Sequence, residues 1–259
     1  MLETAATGEF PRIDLGDYAR GDSRPTGTCR TAVAARAREH RFLDRREPRD
    51  PGRFDRWHRR AGTALSCTAL RREDQIGDKA GNGAGFTGYL PSGEYAIRTS
   101  RINDNDQPDV NAAFFMDRER APDDPEVLAG KLFREPNKWP ADLPGFREFL
   151  LRYWEAVEAF ARRLLPAFAV ALDLPPQAFD RAFEDAQCVL RLSHFPPAQY
   201  RNNQFGLAPH TDANFFTVLP QSNVEGLYIR PGRRSWLKAP RIPGSLIINS
   251  GDMCRRWTE

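Results

Sequence analysis

The last third of the chain is broken into short apolar runs, "CVLRLSHFP", "NFFTVLPQ", "GLYIRP", "SWLKAP" and "GSLIINSGD", each set off by proline, glycine or polar turn residues. Runs of this length at this spacing predict the strands of a sandwich or barrel. Strands of that kind bury a face only by closing on a second layer, so this stretch constrains the whole architecture.

Upstream the period changes. Phe146, Phe149, Leu150, Tyr153, Val157, Phe160, Leu164 and Phe168 recur at three- and four-residue steps, which predicts an amphipathic helix from Gly145 to about Leu174. Pro166 should kink or interrupt it near its end. "LPPQAFDRAFEDA" reads as a second short helix with proline in its first turn. Both helices are expected to be scaffold. "FPRIDLGDY" (Phe10 to Tyr18) suits an edge strand, "NAAFFMD" (Asn111 to Asp117) a short buried one, and "EPNKWPADLPGF" an extended linker ending at a helix start. Gly81, Gly83 and Gly88 sit in a glycine-rich loop over residues 77–95 whose spacing does not fit a dinucleotide fingerprint, so a pocket lip is expected rather than a phosphate cradle.

A chain of 259 residues can bury one large core, and a single domain is favoured. Mean hydropathy of −0.62 with 21 prolines predicts a loop-rich protein. No apolar run approaches bilayer length, and the first residues lack the basic start and apolar centre of a secretion signal, so the expected compartment is the cytoplasm with no membrane partner. Cys29, Cys67, Cys188 and Cys254 are scattered without a C-x-x-C pair and are expected to be free thiols.

The net charge of +3 hides an uneven distribution. Residues 30–72 hold 13 arginines, no lysine and 5 acidic residues, with no sustained helical or strand period, so little there should build a core. Three origins compete for that segment: a solvated basic helix and loop, a contact for nucleic acid or an acidic surface, or translation from a shifted reading frame. Only Phe42, Phe54 and Trp57 are interleaved with the arginines, so no nucleic-acid partner is expected.

"LAPHTDANFFTVLPQ" places His210 and Asp212 two residues apart at the head of an apolar run. In extended backbone such residues share a face, because side chains alternate with period two. A neutral imidazole and a carboxylate so placed supply two adjacent positions on a divalent metal, and a distant third ligand would complete a facial set suited to iron(II) and oxygen. The alternative is a surface hydrogen-bonded pair at a strand end, which three residues cannot exclude.

The longer text decides more. "LRLSHFPP" followed by "HTDANFFTVLPQSNVEGLYIRPGRRSWLKAPRIPGSLIINSGDMCRRWT" resembles the iron(II) and 2-oxoglutarate-dependent oxygenases of the isopenicillin N synthase type, through His-x-Asp, Gly226-Leu227, Trp236, Pro243-Gly244, Asn249 and Gly251-Asp252 in order. The resemblance covers roughly residues 77–259, with "FPRIDL" also similar to the family's start. It implies an α+β, mainly β protein with a double-stranded β-helix (jelly-roll) core and N-terminal and flanking helices. Residues 1–76 would be an N-terminal region, 77–186 the loop and helical scaffold, and 187–259 the core.

By the same resemblance His210 and Asp212 are the catalytic metal ligands for Fe(II), with 2-oxoglutarate and O2 as co-substrates. A small organic substrate would then be hydroxylated, desaturated or cyclised. Isopenicillin N synthase itself works without the 2-oxoacid, so His-x-Asp alone leaves the co-substrate open. Gly226 would allow a tight strand entry, and Asn249 with Gly251-Asp252 would shape the turn after a core strand. Arg191 and His194 match a strand near the pocket, with His194 a structural histidine. Asn82, Phe86, Tyr89, Phe216 and Tyr228 are candidate pocket residues by location.

The family's second histidine normally stands in a Ser-x-x-His-Arg-Val-like strand, and its 2-oxoglutarate arginine in an Arg-x-Ser-like element. Neither element occurs in these 259 residues. A shortened or frame-disrupted family member, with closing strands missing and activity impaired, is therefore expected; a catalytically inactive oxygenase-like binding protein is the alternative.

Overall fold

The computed structural model describes residues 87–93, 107–222, 224–230, 235–242 and 245–258, together with the backbone path at 12–14 and 34–38. Its strands are β1 (Arg12–Asp14), β2 (Ala34–Arg38), β3 (Gly88–Leu90), β4 (Ala112–Met116), β5 (Leu190–His194), β6 (Phe216–Pro220), β7 (Tyr228–Ile229), β8 (Leu237–Lys238) and β9 (Leu246–Ser250). Its helices are α1 (Pro125–Leu128), α2 (Phe146–Ala171) and α3 (Asp252–Thr258). They form two compact units: one holds β1, β2, Ala159–Glu184 and 211–258, the other the described residues up to Glu158 from β3 onward and Asp185–His210.

In the second unit β3, β4 and β5 form an antiparallel sheet with β4 in the middle. The central position explains why Ala112, Ala113, Phe114 and Met116 are all buried, for a middle strand has no open edge. Phe114 is the hub: its ring lies 5.3 Å from Phe146 edge-to-face and 5.8 Å from Trp139, and Leu150 and Trp154 of α2 complete the cluster. Offset and edge-on aromatic pairs of this kind add about 0.5–1.5 kcal/mol beyond buried area. The expected linker "EPNKWPADLPGF" forms no helix or strand before α2 starts at Phe146, and Asn137 holds it, accepting from the Asp117 amide at 2.9 Å and donating to the Asp117 carbonyl at 2.8 Å.

The first unit carries a four-stranded sheet in the order β1-β2-β9-β6 and a separate β7–β8 ribbon. On β9, Leu246 and Ile248 pack with Phe160 and Leu164 of α2 and with Phe216 and Val218 of β6. Strand alternation therefore puts Ile247 and Asn249 of β9, and Thr217 and Leu219 of β6, on the face away from α2.

Three expectations change. Segment 30–72, with no sustained period, was expected to build little core, yet Ala34–Arg38 pairs antiparallel with β9, from Ala34 opposite Asn249 to Ala37 opposite Leu246, and parallel with β1. Ladder bonds come from the backbone, so "AARAR" needs no apolar pattern of its own to join them. The α2 helix runs through Pro166 without interruption, because the buried side chains of Leu164, Leu165, Ala167 and Ala169 on either side of it supply the packing that outweighs a missing amide. The second short helix is reduced to a single 3-10 turn at Arg181–Phe183. There the Arg162 guanidinium donates to the carbonyls of Phe183 at 2.6 Å and Glu184 at 3.2 Å, acceptors that a longer helix would have used for itself.

Cys188 and Cys254 are free thiols, as expected. Among the described residues no helix is long and apolar enough to cross a membrane. Cys29, Cys67, Asn82, Phe86 and most of the glycine-rich loop lie outside the described residues.

Candidate metal centre

His210 and Asp212 do not stand on a strand. The β6 ladder starts at Phe216, and residues 207–215 run outside any ladder, so alternation along a pleated strand does not orient the pair as the sequence suggested. Each residue is instead held by its own hydrogen bonds.

His210 is half-buried, and its Nδ1 lies 2.7 Å from the Ala208 carbonyl oxygen. A carbonyl only accepts, so Nδ1 carries the proton and the ring's lone pair is on Nε2. The backbone that sets this contact is strapped to residues 108–111. Gln204 Nε2 donates to the Pro108 carbonyl at 3.2 Å, the Val110 amide to the Phe205 carbonyl at 2.8 Å, and Asn111 Nδ2 to the Gly206 carbonyl at 2.5 Å. The Ala208 amide donates to Asp109 Oδ1 at 3.0 Å, inside the protein. Asp109 is 1% exposed, and burial pushes its carboxyl above the ordinary value against the opposing pull of the Ala208 amide, Arg191 and His210. Arg191 in turn donates to Asn111 Oδ1 at 2.9 Å and lies over the Phe115 ring.

Asp109→Ala leaves the Ala208 amide without its acceptor in a buried place and is expected to cost about 1–3 kcal/mol, whereas Asp109→Asn keeps an acceptor oxygen and should cost less. Chemical denaturation of both variants measures the difference; equal losses would show that the amide bond is not what Asp109 supplies.

Asp212 sits in a second set of contacts. Its Oδ2 accepts from Thr217 Oγ1 at 2.6 Å and from Asn249 Nδ2 at 2.7 Å. Its carbonyl accepts the Asp252 amide at 2.7 Å, while the Asp252 carboxylate accepts from Thr211 Oγ1 at 2.9 Å. Gly251 donates to the Phe215 carbonyl and Met253 to the Asn214 carbonyl. The start of α3 thus grips the loop that carries Asp212, and a methyl group at Gly251 would collide with the Asn214 carbonyl. Glycine is required here by close approach of two backbones.

The other candidates fall elsewhere. Tyr89 is buried in the apolar cluster around Phe114, which makes it a core residue by its packing. Phe216 stacks on Phe168 at 4.9 Å, also in core, and Tyr228 is 54% exposed on β7. Among the described residues no three His, Cys, Asp or Glu side chains converge to hold a metal. Taken singly, His210, an imidazole with its lone pair on Nε2, and Asp212, a carboxylate, are donor types that a divalent metal takes.

Thr217, Asn249 and Asp109 were missed as supports of this pair. Asn249 was expected only to shape a turn. A hydroxyl inside the apolar run "FFTVLP" was the available signal for Thr217.

The sequence profile of the 2OG-Fe(II) oxygenase superfamily matches residues 186–259, the stretch that contains both candidate ligands and the residues that anchor Asp212. This segment belongs to the 2OG-Fe(II) oxygenase superfamily. Among curated relatives of the oxygenase segment and its flanks, the 2-oxoglutarate-dependent dioxygenase citB of Monascus ruber is 30% identical over 185 residues, 68% of this chain and 55% of that protein. The 2-oxoglutarate-Fe(II) type oxidoreductase hxnY of Emericella nidulans is 28% identical over 170 residues, 63% of this chain and 49% of that protein. The chain therefore spans about half the length of these relatives. Among solved structures, full-length Neurospora crassa T7H in complex with alpha-KG and thymine matches with a TM-score of 0.74 at 19% identity, over 99% of this chain and 78% of that one. At such identity the likeness establishes the fold alone.

Proposed function

We propose that the chain contributes to a non-haem iron(II) centre that oxidises a small organic molecule with O2 and 2-oxoglutarate, with His210 and Asp212 as protein ligands. The observation that carries this is the Nδ1 contact of His210 with the Ala208 carbonyl at 2.7 Å. It selects the tautomer whose lone pair is on Nε2, the arrangement by which metal-binding histidines are usually oriented. The superfamily match over 186–259 and the dioxygenase relatives support the same reading.

Bound iron(II) would supply activation of oxygen coupled to oxidative decarboxylation of the 2-oxoacid. The protein's own part is placement. His210 holds its proton at Nδ1 and presents Nε2; Asp212 brings a negative charge that offsets part of the cation's charge. The strap from residues 108–111 restrains the backbone that carries His210, and the start of α3 restrains the backbone that carries Asp212.

The test is anaerobic iron(II) titration of the chain, followed by O2 and 2-oxoglutarate with detection of succinate. Weak iron(II) binding with a low level of iron-dependent succinate is expected even without the true substrate, because these 259 residues hold neither the second-histidine element nor the 2-oxoglutarate arginine element, and His210→Ala should reduce both to background. A folded chain that neither binds iron(II) nor forms succinate sinks the proposal.

A further inference from the structure

We infer that β6 is a docking edge for a second copy of this chain, which pairs with it as an antiparallel strand centred on Val218. The inference is independent of the metal reading. In the order β1-β2-β9-β6 the strand stands at the end of its sheet, and among the described residues no strand pairs with its outer side. Its burial fits an open edge. Leu246, Ile247 and Ile248 of the neighbouring β9 are all buried, whereas no residue of β6 is, although "FTVLP" is mostly apolar.

One contact fixes which backbone groups face outward. The Gly251 amide donates to the Phe215 carbonyl at 2.9 Å, and these residues continue the register that sets Phe216 opposite Ser250. Bonded pairs alternate along an antiparallel ladder, so Thr217 with Asn249 and Leu219 with Ile247 are bonded pairs too. Phe216, Val218 and Pro220 therefore turn their backbone groups away from β9. The outer edge offers N–H donors at Phe216 and Val218 and carbonyl acceptors at Phe216, Val218 and Pro220, since proline has no amide hydrogen. That set is complementary to itself. With Val218 of one copy opposite Val218 of the other, the two strands overlap along their full five residues. Each Val218 amide then meets the other Val218 carbonyl, and each Phe216 amide meets the Pro220 carbonyl across from it. Every outward donor finds an acceptor.

Charge selects the same partner. Residues 213–222 hold no charged side chain, whereas β5, the other edge strand of five residues among those described, carries Arg191. Proteins usually blunt an open edge with lysine, other charges or a bulge, and here only Pro220 interrupts the row of donors. A charged partner gains nothing from such an edge, while an uncharged strand of the same kind does, and the chain itself supplies one. Pairing about a two-fold axis uses both edges at once, so association stops at a dimer. Thr217, which donates to Asp212, then stands opposite Leu219 of the second copy, and the contact braces the strand that anchors this carboxylate.

The experiment uses the 259-residue chain, with mass read by sedimentation equilibrium and each β6 amide by hydrogen exchange, both over a range of concentrations. A monomer–dimer equilibrium is expected. The Phe216 and Val218 amides should exchange fast in dilute protein and about tenfold more slowly once about nine-tenths of the chain is dimeric, because exchange then proceeds through the remaining monomer. Thr217 and Leu219, bonded to β9, should exchange slowly at every concentration. Leu219→Lys leaves the outward backbone groups in place and makes the two lysines diagonal neighbours across the contact. Its dimer should dissociate about fivefold more readily at low salt. If this variant fails to fold, the exchange pattern of the parent chain decides alone.

A monomeric mass at all concentrations overturns the inference. A dimer that leaves Phe216 and Val218 exchange unaltered overturns it as well, since the copies then meet elsewhere, and so does a folded Leu219→Lys chain that dimerises like the parent. Slow exchange of both amides in dilute monomer means that the chain covers this edge itself, and growth beyond a dimer means that the contact does not close about a two-fold axis; either result sinks the inference. None of these outcomes bears on iron(II) binding, so the metal reading stands or falls separately.

Discussion

Phe215→Ala is expected to lower the stability of the unit that carries Asp212 by about 3–5 kcal/mol, the usual cost of emptying a buried aromatic site. Phe215 is 4% exposed and stands at the centre of an aromatic cluster. Its ring lies 5.0 Å from Phe179, 5.1 Å from Phe183, 5.4 Å from Trp257 and 5.8 Å from Phe168. These partners come from α2, the segment after it, and α3, so one side chain joins three parts of the fold. Its backbone carbonyl also accepts the Gly251 amide at 2.9 Å. Loss of the ring should therefore loosen the contact between α3 and the Asp212 loop as well as leave a cavity. Urea unfolding followed by Trp257 fluorescence measures the first effect, and faster hydrogen exchange at the Gly251, Asp252 and Met253 amides reports the second. A loss below about 1 kcal/mol would mean that the neighbours collapse into the space and that Phe215 is not the hub its packing indicates.

Much of this was legible because local signals are strong where one face is buried. The helical repeat from Phe146 to Phe168 appears as α2, and all five apolar runs of the last third appear as β5 to β9. The residues that support the candidate ligands were harder to find for a physical reason. Asp109 reaches the His210 segment, and Asn249 reaches Asp212, across long sequence separations, and no periodicity encodes such a meeting. Asn249 looked like a turn former because asparagine commonly is one; its partner is decided by the β6–β9 register, which exists only after the sheet forms. Beyond the turn expected at Gly251-Asp252, the α3 helix was not foreseen, for a similar reason. "DMCRRWT" has little helical pattern in isolation, but Cys254 is buried against Phe215 and Phe179, and Trp257 packs on the same rings. Strand β2 shows the opposite limit: backbone pairing recruited a segment whose side chains predict nothing.

Replacing the carboxylate while keeping its shape separates what Asp212 does for the fold from what it does for a metal. In Asp212→Asn the amide oxygen can take the place of Oδ2 and still accept from Thr217 Oγ1 and Asn249 Nδ2, now as a neutral acceptor. Hydrogen bonds to charged groups contribute more than neutral ones by about 1 kcal/mol each, so with two bonds affected the apo protein should lose no more than about 2 kcal/mol. The backbone grip is untouched, since the Asp252 amide bonds the carbonyl of residue 212 and not its side chain. Metal binding should respond differently, because the substitution removes an anionic donor from the first layer of ligands. An effect larger than the roughly 100-fold upper bound for an orienting partner is expected in Mn(II) titration. Should Asp212→Asn bind Mn(II) as tightly as the parent chain does, Asp212 would be a structural acceptor for its two donors, and the metal would have to be held elsewhere.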